Sequence, residues 1–289
     1  MIIDIIISGL INGSVYALLA IGFSLIFGVA RIVNIAHTAF YMVAAYCIYF
    51  GSHTLGLHPL WGMLAAIILV TLFGLAAYRF FIDPIREHEA AVLIATIALA
   101  MAMQEVMLLL FSGDFVSVPS LIEGYVKILG VKVAYQQILT FGAVLLILVG
   151  IWALLKKTRL GLAVRSTAQD REVANLMGMH ESRVAMITMG VSVGLAALTG
   201  AVVVPLTVVN PHMWMHPLIM MMAVVVLGGL GSIKGSFIGA YILAFAESLV
   251  VFLIPMGAFL KGSVALSIMI LVLLIRPEGL FGIAFEEER

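Results

Sequence analysis

The sequence predicts an all-α fold, a polytopic transmembrane helix bundle in one domain spanning residues 1–289. Three observations predict it. Of 289 residues, 64% are hydrophobic and only 10% are charged, whereas a soluble domain carries about 25% charged residues. Apolar stretches long enough to cross a bilayer, which takes about 20 residues, recur along the whole chain. Basic residues gather in alternate loops between those stretches, the arrangement that sets orientation in a membrane. A water-soluble enzyme of this composition would expose large apolar patches. Fifteen basic and fifteen acidic residues cancel, so nothing general favours nucleic acid. The single cysteine, Cys47, excludes a disulfide framework and a cysteine-rich metal site.

Nine candidate segments follow in order, roughly 5–29, 38–52, 61–82, 90–111, 137–155, 184–208, 217–233, 236–255 and 262–275, a count of about eight to nine membrane segments. The first lacks a basic leader region and carries Asp4, so it is expected to stay as a span and not to be cleaved as a signal peptide. The second and seventh are short enough to be broken or re-entrant. The segment between the fourth and fifth, about 112–136, contains Pro119, Gly124 and Gly130 and has room for a short helix or a strand pair. With the 156–183 loop placed in the cytoplasm, nine crossings put the N-terminus outside and the C-terminus inside. Twelve basic residues then fall inside: Arg31, Arg79, Arg86, Lys156, Lys157, Arg159, Arg165, Arg171, Arg183, Lys234, Arg276 and Arg289. Three fall outside: Lys127, Lys132 and Lys261. Trp61 and Trp214 read as interface anchors.

Glycine at Gly9/Gly13, Gly190/Gly194, Gly231/Gly235 and Gly235/Gly239 reads as close helix packing. The run Gly228-Gly229-Leu230-Gly231-Ser232 is expected to break a helix or bend it sharply, a device that lines pathways in transporters. The run superficially resembles a phosphate-binding loop. In that motif, however, lysine follows the last glycine and directly precedes Ser/Thr, whereas here Lys234 precedes Gly235. No nucleotide site is expected in this chain.

Ionisable groups at membrane depth are costly and need a reason. Glu105 and Glu247 lie inside spans. Each is either a pathway carboxylate or a group hydrogen-bonded or protonated in place, and no intramembrane Lys or Arg stands out as its partner. Asn12, Ser14 and Tyr16 fall in the first span, and Asn34, His37 and Thr38 open the second. The spacing of 34, 37 and 38 puts them on one helical face. Such neutral groups suit a small polar or zwitterionic solute, or equally the capping and bridging of helix ends. His212 and His216 stand four apart, but with no third ligand no metal site is expected. No catalytic triad or carboxylate pair stands out, so no enzymatic activity is expected.

The 156–183 loop is the most informative polar stretch, with six basic residues against Asp170, Glu172 and Glu181. Thr167-Ala168-Gln169-Asp170 reads as a capping box and Gly178 as a helix stop. Between them a short helix is expected, with Val173, Leu176 and Met177 on one face and Arg171, Glu172 and Asn175 largely off it. Such a helix lies on the bilayer or docks into a partner's groove; its mixed charge favours the partner.

Glu172-Val173-Ala174-Asn175-Leu176-Met177-Gly178 resembles the E-A-A-x-x-x-G cytoplasmic motif of ABC importer permeases, although Val173 departs from it and the downstream I-x-L-P is missing. Gly9-Leu10-Ile11-Asn12-Gly13-Ser14-Val15-Tyr16-Ala17-Leu18 and Asn34-Ile35-Ala36-His37 are similar to LivH-type branched-chain amino-acid permeases, which often have glycine at the position of Thr38. Gly161-Leu162-Ala163-Val164-Arg165, the glycine run at 228–231 and Arg276-Pro277-Glu278-Gly279-Leu280-Phe281-Gly282 fit the same pattern. The likeness covers nearly the whole chain, and its length resembles the shorter of that family's two permeases.

The resemblance implies an inner-membrane permease subunit of an ATP-driven importer, half of a translocation pathway for branched-chain amino acids. Its implied partners are a homologous second permease, two cytoplasmic ABC ATPases that hold ATP and Mg, and a periplasmic solute-binding protein, all on a lipid bilayer and without nucleic acid. Coupling to the ATPases would fall on Thr167, Asp170, Arg171, Glu172, Ala174, Leu176, Met177 and Gly178. The pathway would draw on Asn12, Tyr16, Asn34, His37, Thr38, Glu105, Gly228, Gly229, Gly231 and Glu247. Two alternatives remain open: a urea or short-amide permease of the same family, and a stand-alone ion-coupled transporter working through Glu105 or Glu247.

Overall fold

The computed structural model describes residues 1–128 and 130–282. Arg289, counted above with the basic end, lies outside the described residues. The described chain is a helical bundle with one small hairpin. The helices are α1 (Ile2–Ala30), α2 (His37–Tyr49), α3 (Pro59–Ala77), α4 (Glu89–Phe111), α5 (Tyr135–Lys157), α6 (Arg159–Gln169), α7 (Arg171–Leu176), α8 (Glu181–Val203), α9 (Met215–Gly228), α10 (Ile233–Leu253) and α11 (Lys261–Ile275).

Among the described residues, seven helices are long and apolar enough to cross a membrane: Ile2–Ala30, Pro59–Ile85, Glu89–Phe111, Tyr135–Lys157, Glu181–Leu206, Ile233–Leu253 and Gly257–Ile275. The second and fifth of these are extended by tighter or wider turns at their ends, Pro-containing in both cases. The remaining two apolar stretches are short helices: α2, prolonged by a π-helical turn over Phe50–Thr54, and α9. The nine expected segments are thus seven long helices and two short ones, the short ones being the second and the seventh.

α1 is the axis of the bundle. Ala17, Leu18, Leu19, Ala20, Phe23, Ile26 and Val29 are fully buried, and a helix apolar all round belongs in an interior. It packs on α10, α8, α9 and α5. Gly9 and Gly13 face the rings of Phe245 and Tyr241, so the first GxxxG pair is a seat for two aromatic side chains of α10 and not a backbone-to-backbone contact. The outward surface is apolar too: Leu109, Leu146, Phe80 and Leu274 are largely exposed, as lipid-facing residues are.

The chain after α4 folds into a hairpin, β1 (Tyr125–Ile128) with β2 (Val131–Ala134), antiparallel with Tyr125 opposite Ala134. This settles the strand-pair alternative for that segment. Val116 and Val209 exchange backbone hydrogen bonds of 3.0 and 2.8 Å, so this segment and the one after α8 lie at the same end of the bundle. At the opposite end Gly28, Gly231 and Ala168 converge, with Gly231 O 3.7 Å and Ala168 Cβ 3.8 Å from the position a Cβ on Gly28 would take.

One local expectation is narrowed and one is corrected. The glycine run breaks a helix and does not bend one: α9 ends at Gly228, Gly229 and Gly231 have φ of 97° and 79°, and Ser232 Oγ accepts from Gly235 N at 3.1 Å to start α10. The run is a helix–helix turn, because positive φ at Gly229 and Gly231 cannot continue a right-handed helix. Trp214 is not an interface anchor. It is buried, and its Nε1 donates to Gln104 Oε1 at 2.9 Å, tying the start of α9 to α4. Trp61 is exposed, as an anchor would be.

Candidate functional site

Two regions carry the polar residues that an apolar bundle would otherwise avoid. The first is a seam between α1 and α10. Near one end Ser24 Oγ and Ser236 Oγ share a hydrogen bond of 2.6 Å; further along, Ser14 Oγ and Tyr241 OH share one of 2.8 Å. Tyr16 OH donates to Glu247 Oε2 at 2.8 Å. The other carboxylate oxygen of Glu247 lies 3.4 Å from Lys261 Nζ and 4.0 Å from His216 Nε2. Glu247 is only 2% exposed whereas Lys261 is 36% exposed, so the ion pair runs from the interior toward the bundle's surface.

This corrects the expectation that no cation partners Glu247. Lys261 opens α11 in the stretch assigned to an outer loop, and its flexible stem reaches inward to the acid. Glu105, by contrast, lies on an exposed face of α4 beside Gln104, whose Nε2 donates to it at 3.4 Å. The two carboxylates are therefore in unlike places, one inside the bundle and one on its outside. Among the described residues no group of three or more His, Cys, Asp or Glu stands together as metal ligands would; His212 lies in the turn before α9, while His216 sits against the Tyr16 ring at 6.4 Å.

The second helix adds a buried polar pocket. The chain leaves α1 through Arg31, with φ of 54°, and 32–36 return without helix into the bundle. α2 then starts at His37, whose Nδ1 is 3.3 Å from Ser192 Oγ in the middle of α8 and whose ring packs edge-on to Phe23 at 6.4 Å. Asn34 donates to Met189 Sδ at 3.8 Å. Asn34 Oδ1 and Thr38 Oγ1 are buried without a hydrogen-bond partner among the described residues. The three residues do not share one helix face as the spacing suggested, since Asn34 precedes the helix. They sit together because a discontinuous span brings its N-terminus inside the bundle, where the first amides of a helix carry partial positive charge. Asn12 is half-buried on α1, one turn from Tyr16.

The second region is α6–α7. Thr158 Oγ1 accepts from Gly161 N at 3.0 Å and donates to Leu154 O at 2.6 Å, which turns the chain from α5 into α6. α6 buries Gly161, Val164 and Thr167 against the bundle. Thr167 is therefore not the cap of the short helix, which corrects the capping-box reading. The cap is Asp170, extended at φ −152°, whose Oδ1 accepts from Val173 N at 3.0 Å. A buried hydroxyl inside α6 has no free amide to serve, whereas Asp170 sits at the break where orphan amides begin.

α7 is tied back at both ends. Arg171 Nη1 is 3.4 Å from Glu181 Oε1, and Asn175 Oδ1 accepts from Glu181 N at 3.2 Å. Gly178 ends the turn at φ 85°. Burial pulls the Arg171 guanidinium below its ordinary value; Glu181 opposes that shift, and the like charges of Arg31 and Arg86 reinforce it. Basic residues from three different loops thus face one another at this end. Ala174 is buried, while Val173, Leu176 and Met177 are 53%, 87% and 76% exposed. Glu172 is exposed beside them. The apolar face of this short helix is largely uncovered among the described residues.

The glycine turn lies close by. Gly235 and Gly228 meet backbone to backbone, and Leu280 N and Phe281 N donate to Leu227 O and Gly228 O at 2.8 and 3.0 Å. The two sequence motifs at 228–231 and 276–282 form one packed unit.

A family model described as "Branched-chain amino acid transport system / permease component" matches residues 5–274. This chain belongs to that family. The permease is 30% identical to the high-affinity branched-chain amino acid transport system permease protein BraD of Pseudomonas aeruginosa, covering 96% of this chain and 94% of the relative. It is 28% identical to LivH of Escherichia coli K12, covering 95% and 94%, and 26% identical to the probable LivH of Methanocaldococcus jannaschii, covering 96% and 92%. Among solved structures it is similar in fold to a chain of PsaBC from Streptococcus pneumoniae in complex with Fab, at TM-score 0.53 and 17% identity over 94% of this chain and 91% of that one. The permease is a multi-pass membrane protein.

Proposed function

We propose that this chain is the permease subunit of an ATP-driven importer for branched-chain amino acids, forming half of the pathway beside a homologous second permease. Of two cytoplasmic ATPases holding ATP and Mg, one docks on α7 and the other on the second permease, and a periplasmic binding protein delivers solute to the opposite end. The hairpin end faces the periplasm, as does the N-terminus, and the basic end faces the cytoplasm. The observation that carries this reading is α7: a short helix held rigidly by Asp170, Arg171 and Asn175, presenting Val173, Leu176 and Met177 outward. An exposed apolar face anchored to a rigid support is a docking surface.

Closure of the ATPases pushes α7, and α6 passes the push to α1 and the glycine turn through the Gly28, Ala168 and Gly231 contact, a rigid-body switch of the kind that interfaces support. In the membrane, the zwitterionic solute is met by the N-terminus of α2 and the polar atoms of Asn34, His37 and Thr38. Burying an unpaired polar atom costs about 1–3 kcal/mol, a cost relieved when a polar solute passes.

The test is uptake and ATP hydrolysis by the reconstituted transporter carrying Glu172→Ala, Gly178→Ala or Leu176→Ser with Met177→Ser. Uptake falls at least tenfold in the double serine variant with the permease still folded and inserted. Full uptake and full coupling in all three variants would refute the assignment of α7.

A further inference from the structure

We propose that the permease holds an anionic phospholipid in a groove on its membrane surface, with the headgroup on Lys156, Arg165 and Lys234. The groove has a volume of about 710 Å³ and lies between α1, α5 and α10, closed below by α6. Its walls are apolar, with Leu148, Trp152 and Phe237 among them. Trp152 and Phe237 are substantially exposed, so the groove opens to the lipid.

The three cations sit at one end of it, one from each of α5, α6 and α10. None of them enters an ion pair among the described residues. Lys156 Nζ lies 4.9 Å over the Trp152 ring, a cation–aromatic pair at the depth where such residues mark the membrane interface. Arg165 Nε donates to Gly161 O at 3.3 Å, which orients the guanidinium at the mouth.

A zwitterionic lipid would bring its own cation to this cluster; an anionic headgroup brings only the charge that the cluster lacks. Basic pockets between membrane helices recognise anionic headgroups in this way. A free phosphate would leave the apolar walls unmatched. A bound phospholipid would bridge α5, α6 and α10, and so stiffen the support from which α7 projects. The lipid site stands on the groove and its charges alone and does not depend on the solute or on the docking role of α7.

Trp152 provides the readout. The full-length permease, assembled with its partner subunits, is placed in bilayers containing dibrominated phosphatidylglycerol or dibrominated phosphatidylcholine at equal fraction. The fluorescence lost on Trp152→Phe isolates the groove's signal. The phosphatidylglycerol bilayer quenches that signal preferentially, with an affinity ratio of at least about tenfold from three basic residues. The ratio collapses toward one in the Lys156→Gln, Arg165→Gln, Lys234→Gln variant, and it shrinks in the unmodified protein at 1 M salt, where the screening length is about 3 Å. Equal quenching by the two lipids overturns the proposal. So does quenching by neither, which would mean that another protein covers the groove. A preference that emerges only after residues 283–289 are removed also overturns it, because Glu286, Glu287 and Glu288 would then be the natural occupants of the cation cluster.

Discussion

Glu247 is the residue at which burial and charge conflict most directly. Its carboxylate lies inside the bundle, and Tyr16 and Lys261 are what make that tolerable. Removing one partner of a buried ion pair leaves the other charge uncompensated, which costs more than removing both. Lys261→Ala is expected to lower stability by about 1–3 kcal/mol, less than for a fully buried pair because Lys261 reaches solvent. Adding Glu247→Gln to it restores most of the loss. Thermal unfolding of the three proteins in detergent checks this; a double variant no more stable than Lys261→Ala would show that the pair is not the cause. Tyr16 and Glu247 were legible in the sequence as polar residues at membrane depth. Lys261 was not, because a lysine at the head of a helix reads as a loop residue until the neighbouring helix end is placed beside it. Ser24 with Ser236, and Ser192 beside His37, were hidden for the same reason: serine is common in spans, and only the facing helix gives it meaning.

At the scale of elements, the short helices diverge from what the sequence suggested. A single helix was expected over 167–178, and two are found, parted at Asp170. The apolar face of α6 is bound to the bundle while that of α7 is free, so the break lets the chain turn one face inward and the next outward. Asp170→Ala removes the cap of α7, worth about 1 kcal/mol. Hydrogen exchange at residues 171–177 should quicken roughly fivefold, with exchange in α6 unchanged; no change at α7 would remove Asp170 from its capping role. The α9–α10 turn depends on backbone approach instead. The place a Cβ of Gly235 would take is filled by the Gly228 carbonyl, so Gly235→Val forces the two helices apart. Folded yield should fall sharply, whereas Gly142→Val, at a site with nothing near it, leaves yield intact. Equal yields would show that the turn has slack. α2 was legible only as a short apolar run; that its start lies inside the bundle follows from 32–36 turning back beside α1.

For the whole molecule, the ends differ in charge, and that difference predicts orientation. In a Cys47→Ala background, Glu172→Cys should react with a membrane-impermeant thiol reagent only from the cytoplasmic side, and Glu123→Cys, beside the hairpin, only from the periplasmic side. Labelling in the reverse pattern would invert the proposed topology. The sequence by itself determined that the chain is a membrane-spanning helical bundle, how its apolar segments are ordered, and to which family it is similar. Those features rest on composition and on local patterns, which survive without a partner: a run of about 20 apolar residues must be a helix in lipid wherever it packs, because only a helix satisfies its own backbone there. Only the tertiary structure decided that Glu247 has a cation, that Trp214 is buried, that the glycine run joins two helices and does not kink one, and that Lys156, Arg165 and Lys234 meet at one groove. Each is a contact between residues distant in sequence, and in an apolar environment such contacts are set by which helix faces pack together, which the period of a uniformly hydrophobic segment does not reveal.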